Sequence, residues 1–243
     1  MQIATKERTA PAPLWRAQLP GRPLAGLTVM IVEDSCFASE AVRLLCLRSG
    51  ARLRRADCMA SAQRHLRCYL AGVIIVDMGL PDGNGAALIA QIKAKPDAPL
   101  VIGMSGDPDN EPAALAAGAD AFLHKPVESL AAFQSMILSL LPRDAHPRLR
   151  LLPDETVTAG EAALRDDLAH TDALMSATAH DPAMVSYVAQ FLTSIARASH
   201  DAGLAEAAAR VAADQHAGRD TGAGMARLRG IVKERLYASG GAC

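Results

Sequence analysis

A chain of 243 residues with 25 basic and 26 acidic side chains carries a formal net charge of −1, so no general field draws it to nucleic acid or to an anionic membrane. Half of its residues are apolar but only 3% are aromatic, enough for one large core or two ordinary ones, and no apolar run approaches the length of a transmembrane helix. Five scattered cysteines (Cys36, Cys46, Cys58, Cys68 and Cys243) form no C-x-x-C pair, which argues against a zinc or disulfide framework and for a reduced, cytoplasmic protein.

The first 25 residues mix Lys6, Glu7 and Arg8 with Pro11, Pro13 and Pro20 and lack the apolar stretch of a secretory signal, so they read as a flexible tail. From Gly26 the pattern becomes regular. Leu27 to Val32 reads as a strand that runs into Glu33-Asp34, and Ser35 is a good N-cap for a helix to about Arg48, stopped by Ser49-Gly50. Ala51 to Ala56 alternates apolar and basic residues, as an edge strand would. A helix over about 60–70 leads to Val73-Ile74-Ile75-Val76-Asp77, a β-branched run without alternation that suits a central parallel strand covered on both faces. Its terminal acid, Asp77, is then expected at the carboxyl end of the sheet, presented rather than buried. The turn around Gly83-Asn84-Gly85 leads into a helix over 86–94; alone it is weak support for a phosphate cradle. A strand over 99–104 ends at Ser105-Gly106, a short helix over 111–117 stops at Gly118, and Ala121-Phe122-Leu123-His124 runs into Lys125-Pro126 before a helix over 127–141. This βα alternation predicts a five-stranded, doubly wound parallel sheet over 26–142.

Three prolines (Pro142, Pro147 and Pro153) and several basic residues between 142 and 153 signal a linker, placed at 143–158. Beyond it the periodicity is helical throughout: 161–176, a helix opened by Asp181-Pro182, 202–215 and 224–237, which together predict an all-α domain over 159–240.

Glu33-Asp34, Asp77, Ser105-Gly106, Phe122 and Lys125-Pro126 fall in that order at or near the carboxyl ends of successive strands. In this register residues 26–142 resemble the receiver domain of two-component response regulators. The resemblance implies a flavodoxin-like fold with strand order 2-1-3-4-5. It also implies a phosphoacceptor at Asp77, charged through Lys125 and Ser105 by a phosphohistidine on a sensor histidine kinase or histidine phosphotransferase, and a switch made of Ser105 and Phe122. Mg²⁺ suits the acid cluster because it takes hard oxygen ligands and keeps several waters. Asp34 and Asp77 would bind it directly, Glu33 through water and Gly79 through its carbonyl, the last implied by the resemblance. A phosphate on Asp77 would draw Ser105 inward and let Phe122 turn from solvent to interior, with output read on the fourth helix, fifth strand and fifth helix. Phe122 departs from a tyrosine in lacking a hydroxyl, and Glu33 is longer than an aspartate. The chain is expected to be a signalling switch rather than a metabolic enzyme, with autophosphorylation and autodephosphorylation chemistry of its own.

Three outputs suit the helical domain. Arg227, Arg229, Lys233 and Arg235 offer a basic helix for DNA, but residues 151–243 hold 12 acids against 8 bases, a net of −4 and the wrong sign. A histidine phosphotransfer bundle would need lysine and glycine three and four residues after its histidine, whereas His216 is followed there by Arg219 and Asp220, so such a bundle would be a degenerate docking module. The favoured output is protein interaction, with a homodimer or a protein effector as partner.

Overall fold

The structure is a computed structural model that describes residues 21–142, 155–177 and 181–238. Five parallel strands form one sheet in the order β2-β1-β3-β6-β7: β1 (Thr28–Val32), β2 (Arg52–Ala56), β3 (Val73–Asp77), β6 (Leu100–Ser105) and β7 (Ala121–His124). Two short strands, β4 (Gly79–Leu80) and β5 (Gly83–Asn84), pair antiparallel as a small hairpin just after β3. The order places β3 at the centre. All five of its residues are buried, as its unbroken apolar run requires.

Because side chains alternate across a strand, each strand supplies both faces of the sheet. Val29, Ile31, Val73, Ile75, Ile102 and Met104 share a core with α1 (Cys36–Ser49) and α5 (Leu130–Leu140). Met30, Val32, Ile74, Val76 and Val101 face the other way, onto α2 (Met59–Cys68), α3 (Gly85–Lys93) and α4 (Glu111–Ala116). Ser35 caps α1 by accepting from the Ala38 amide at 2.9 Å, and Gly50 closes it with φ at 80°. Asn84 caps α3 in the same way.

Several boundaries differ from those the sequence suggests. Leu24 is fully buried in the sheet core and its amide bonds to the Ser49 carbonyl, so the ordered fold starts before Gly26; residues 1–20 of the expected tail lie outside the described residues. The helix expected from 127 starts at Leu130 because Ser129 takes the N-cap, accepting from the Ala132 amide. Most of the expected linker, 143–154, also lies outside the described residues. Its end returns to the sheet domain: Thr156 bridges Ser129, the Leu130 amide bonds Glu155, and Val157 is buried in the same core.

The remainder is helical: α6 (Glu161–Ala177), α7 (Pro182–Ala198), α8 (Ala202–His216) and α9 (Gly222–Ala238). They close a four-helix ring in which α7 packs on α8, α8 on α9, α9 on α6 and α6 on α7. Its core is separate from the sheet's and is built from Leu168, Val188, Leu192, Leu204, Val211, Leu228 and neighbours. Among the described residues, the main contacts of the ring with the sheet domain are not with the fourth helix, fifth sheet strand and fifth helix. α6 and α7 lie instead against α1 and the carboxyl edge of the sheet.

Candidate functional site

Three strand ends converge on one side chain. Lys125, one residue beyond β7, places its ammonium 2.6 Å from Glu33 Oε2 and 2.8 Å from Asp77 Oδ1, all three buried. Asp77 Oδ2 accepts from the Gly79 amide at 3.1 Å, and the Ser35 amide donates to Glu33 Oε1 at 3.1 Å. Glu33, Asp34 and Asp77 each offer a carboxylate oxygen within 4.8 Å of the others. The expectation that Asp77 is presented to solvent is corrected: it is 6% exposed. The strand end does point it out of the sheet, but the helical domain covers that edge.

Three carboxylates around one ammonium leave an excess of negative charge in a poorly solvated place. Burial, followed by the charge of Asp77, pushes the Glu33 carboxyl well above its usual range; burial likewise raises Asp34, against the bond that Tyr187 gives it. Burial alone would depress Lys125, but the charges of Asp77 and Glu33 and its bonds to them prevail and hold its pKa above the usual lysine value. Asp34 Oδ1 is buried with no hydrogen-bond partner. A partnerless buried carboxylate oxygen beside two further acids fits a hard divalent cation, which takes oxygen ligands and cancels the excess charge.

Ser105, the last residue of β6, is buried beside this group, and its hydroxyl accepts from the Asp107 amide and from Asn110 Nδ2, both at 3.0 Å. Phe122 already lies in the core with Ala114 and Val101, edge-on to the exposed His124 ring. The outward-facing Phe122 expected before phosphorylation is therefore not observed. Gly103 explains the inward position: a Cβ there would stand 3.0 Å from the Phe122 ring, so its absence makes room. Gly79 touches Asp77 through its amide.

The sequence reasoning missed the residues that reach this edge from the helical domain. The Tyr187 hydroxyl, on α7, donates a hydrogen bond to Asp34 Oδ2. Asp167, on α6, accepts from the Ser35 hydroxyl at 2.8 Å and from the Cys36 and Phe37 amides at 2.8 and 3.0 Å, so it caps the first turn of α1 from another domain. Arg197 donates to the Gly106 carbonyl. No receiver-like motif contains these residues. The available signal was a polar stripe on α7 opposite the apolar one. His216, by contrast, lies exposed at the end of α8. Two of the four basic residues of α9 serve the bundle itself: Arg229 pairs with Asp172 and Arg235 with Asp201.

The family model for the response regulator receiver domain matches residues 29–137. The KDP operon transcriptional regulatory protein KdpE of Escherichia coli (strain K12) is 31% identical over 99 residues, which span 40% of this chain and 44% of that regulator, less than half its length. Among solved structures, the signal receiver domain of a signal transduction histidine kinase from Syntrophus aciditrophicus is 27% identical, covering 51% of this chain and 96% of its own, with a TM-score of 0.44. A response regulator receiver domain protein from Clostridium thermocellum is 24% identical, with coverage of 49% and 96% and a TM-score of 0.44. With the motif register, the strand order and the family model in agreement, residues 29–137 are a response regulator receiver domain.

Proposed function

We propose that the chain is a response regulator that accepts a phosphoryl group on Asp77 from a phosphohistidine carried by a sensor histidine kinase or a histidine phosphotransferase. The observation that carries this reading is the pairing of Lys125 Nζ with Asp77 Oδ1 at 2.8 Å beside the partnerless Asp34 Oδ1. An Asp77 carboxylate oxygen forms the new O–P bond as the donor's P–N bond breaks, and the departing electron pair stays on the imidazole nitrogen. Lys125 holds the carboxylate in place and meets the phosphoryl oxygens as a point charge. Ser105 exchanges its present contacts for a bond to the acyl phosphate, beside a Phe122 that is already inward. Mg²⁺, held by Asp34 and Asp77, by Glu33 through water and by the Gly79 carbonyl, would supply neutralisation of the phosphoryl charge. The product is a signalling state that is lost by hydrolysis.

The helical domain is read as a protein-interaction or dimerisation module. KdpE is named a transcriptional regulator, which keeps DNA binding as the alternative; the bundle's net negative charge and the internal pairing of Arg229 and Arg235 oppose it. Intact mass after incubation with acetyl phosphate and Mg²⁺ tests the acceptor. Wild type should gain one phosphoryl group that hydroxylamine removes, and Asp77→Asn should gain none; a gain that survives Asp77→Asn refutes the assignment. A salt-dependent shift of a DNA probe would move the output reading to the alternative.

A further inference from the structure

Helix α7 crosses the carboxyl edge of the receiver sheet with a polar stripe, opposite the apolar residues that build its own bundle, although the Tyr187 ring also packs on the bundle core beside Phe191. Tyr187, Gln190, Ser194 and Arg197 follow one another at spacings of three, four and three, which places them on one side of the helix. Val185, Val188, Leu192 and Ile195 lie buried, with Val188 and Leu192 in the bundle core. Each residue of the polar stripe meets a part of the receiver edge. Tyr187 donates to Asp34 Oδ2, and Arg197 donates to the Gly106 carbonyl. A Cβ placed on Gly79 would stand 3.8 Å from Gln190 Oε1, and one on Gly106 would stand 3.5 Å from Ser194 Oγ, so α7 runs in van der Waals reach of the loops after β3 and β6. Asp167 fastens α6 beside it, on the first turn of α1. Beneath this cover Asp77 is 6% and Lys125 9% exposed.

A wide cleft of about 950 Å³ enters between the two domains, lined by Asp34, Arg55, Asp57, Asp166, His170 and Tyr187 among others. Asp34 lines it and Asp77 does not. A bare or hydrated cation therefore has a way to the first acid, whereas the second lies under α7 and is reached by a phosphodonor only when that cover moves.

We propose that helices α6 and α7 form a lid that restrains the receiver, with Tyr187 competing against a divalent cation for Asp34 and α7 barring the phosphodonor from Asp77. This inference rests on the reading of Glu33, Asp34 and Asp77 as the cation and phosphoryl site. The contacts that close the lid and those that load the site use the same carboxylate, so each weakens the other, and a ligand shifts the balance only by that difference. The helical domain thus acts on the receiver before it acts on anything else. Tyr187 and Asp167 are positioning residues in this scheme.

The test uses full-length protein and Mn²⁺ as the probe cation, with free Mn²⁺ counted by electron paramagnetic resonance. Tyr187→Phe keeps the ring and removes the competing hydroxyl, and should tighten Mn²⁺ binding about tenfold, the worth of one hydrogen bond to a charged group. Ser194→Trp wedges α7 off the edge without touching any acid; it should tighten Mn²⁺ binding in the same direction and enlarge the molecule in small-angle X-ray scattering. Both should take phosphate from acetyl phosphate faster than wild type. Equal Mn²⁺ affinity in wild type and both variants overturns the lid. If that equality comes with phosphate entering Asp77 at one common rate, the phosphoacceptor reading survives it. Tighter Mn²⁺ binding with no phosphate on Asp77 in any variant upholds the lid and overturns the phosphoacceptor instead.

Discussion

Lys125 is the counter-charge for two buried acids at once, 2.6 Å from Glu33 and 2.8 Å from Asp77. Removing one member of such a buried group leaves the others uncompensated, at a cost of about 3 kcal/mol. Lys125→Met should lower the urea-unfolding stability of the receiver by about that much, and added Mg²⁺ should recover part of the loss by supplying the missing positive charge. A second side chain gives a pH signature. The bond from Arg235 holds the Asp201 carboxyl below its ordinary value. A depressed carboxylate contributes stability above the ordinary carboxylate range and loses it as pH falls through the depressed value. The helical domain should therefore weaken below about pH 4, and Asp201→Asn should flatten that part of the stability profile while lowering the plateau at neutral pH. Fluorescence is a poor monitor with one tryptophan near the start of the chain, so far-ultraviolet circular dichroism is the measurement of choice.

The hairpin β4–β5 and the start of α3 fix where β3 ends. Gly85 lies so close under it that an added Cβ would fall 2.1 Å from the Asp77 carbonyl oxygen, backbone that cannot step aside. Gly85→Ala should cost about 2 kcal/mol, in the range of overpacked sites, and slow phosphate incorporation by displacing Asp77; urea unfolding and intact mass report the two effects. At this level much was legible in the sequence. The β-branched run Val73 to Val76, the Ser35 cap with its Gly50 stop and the Asp181-Pro182 start each carry a local signal that tertiary packing did not override. Glu33, Asp34, Asp77, Ser105 and Lys125 could be placed together because each lies within a residue or two of a strand end, and strand ends of a parallel sheet share an edge. Burial of Asp77, the inward Phe122 and the polar stripe of α7 were not legible. They depend on which surface one domain offers another, and hydrophobic periodicity describes only how each element meets its own core.

At the scale of the whole molecule, the described residues form three apolar clusters, two on the faces of the sheet and one inside the helical ring, with no buried residue common to the ring and the sheet. Polar contacts between the domains include Asp167 to α1, Tyr187 to Asp34, Arg197 to Gly106 and His200 to Glu128. Such a molecule should not unfold in one step. Leu192 is fully buried in the ring, and Leu192→Ala should lower the helical transition by about 3 kcal/mol while leaving the receiver transition in place, as resolved by hydrogen exchange at increasing urea. Coincident loss of both would show that the polar contacts couple the domains more strongly than their chemistry suggests.

The bridge between Ser129 and Thr156, with Val157 buried beside it, ties the chain to the receiver just before the bundle begins. From Val157 to the start of α6 at Glu161 is four residue steps, about 14 Å when fully extended. On so short a leash the released bundle can pivot but cannot drift away, and its local concentration at the receiver stays in the millimolar range. Under the proposed function, a kinase or phosphotransferase would have to outcompete that concentration, so recharging of Asp77 would depend on how often the leash swings open as well as on the abundance of the donor.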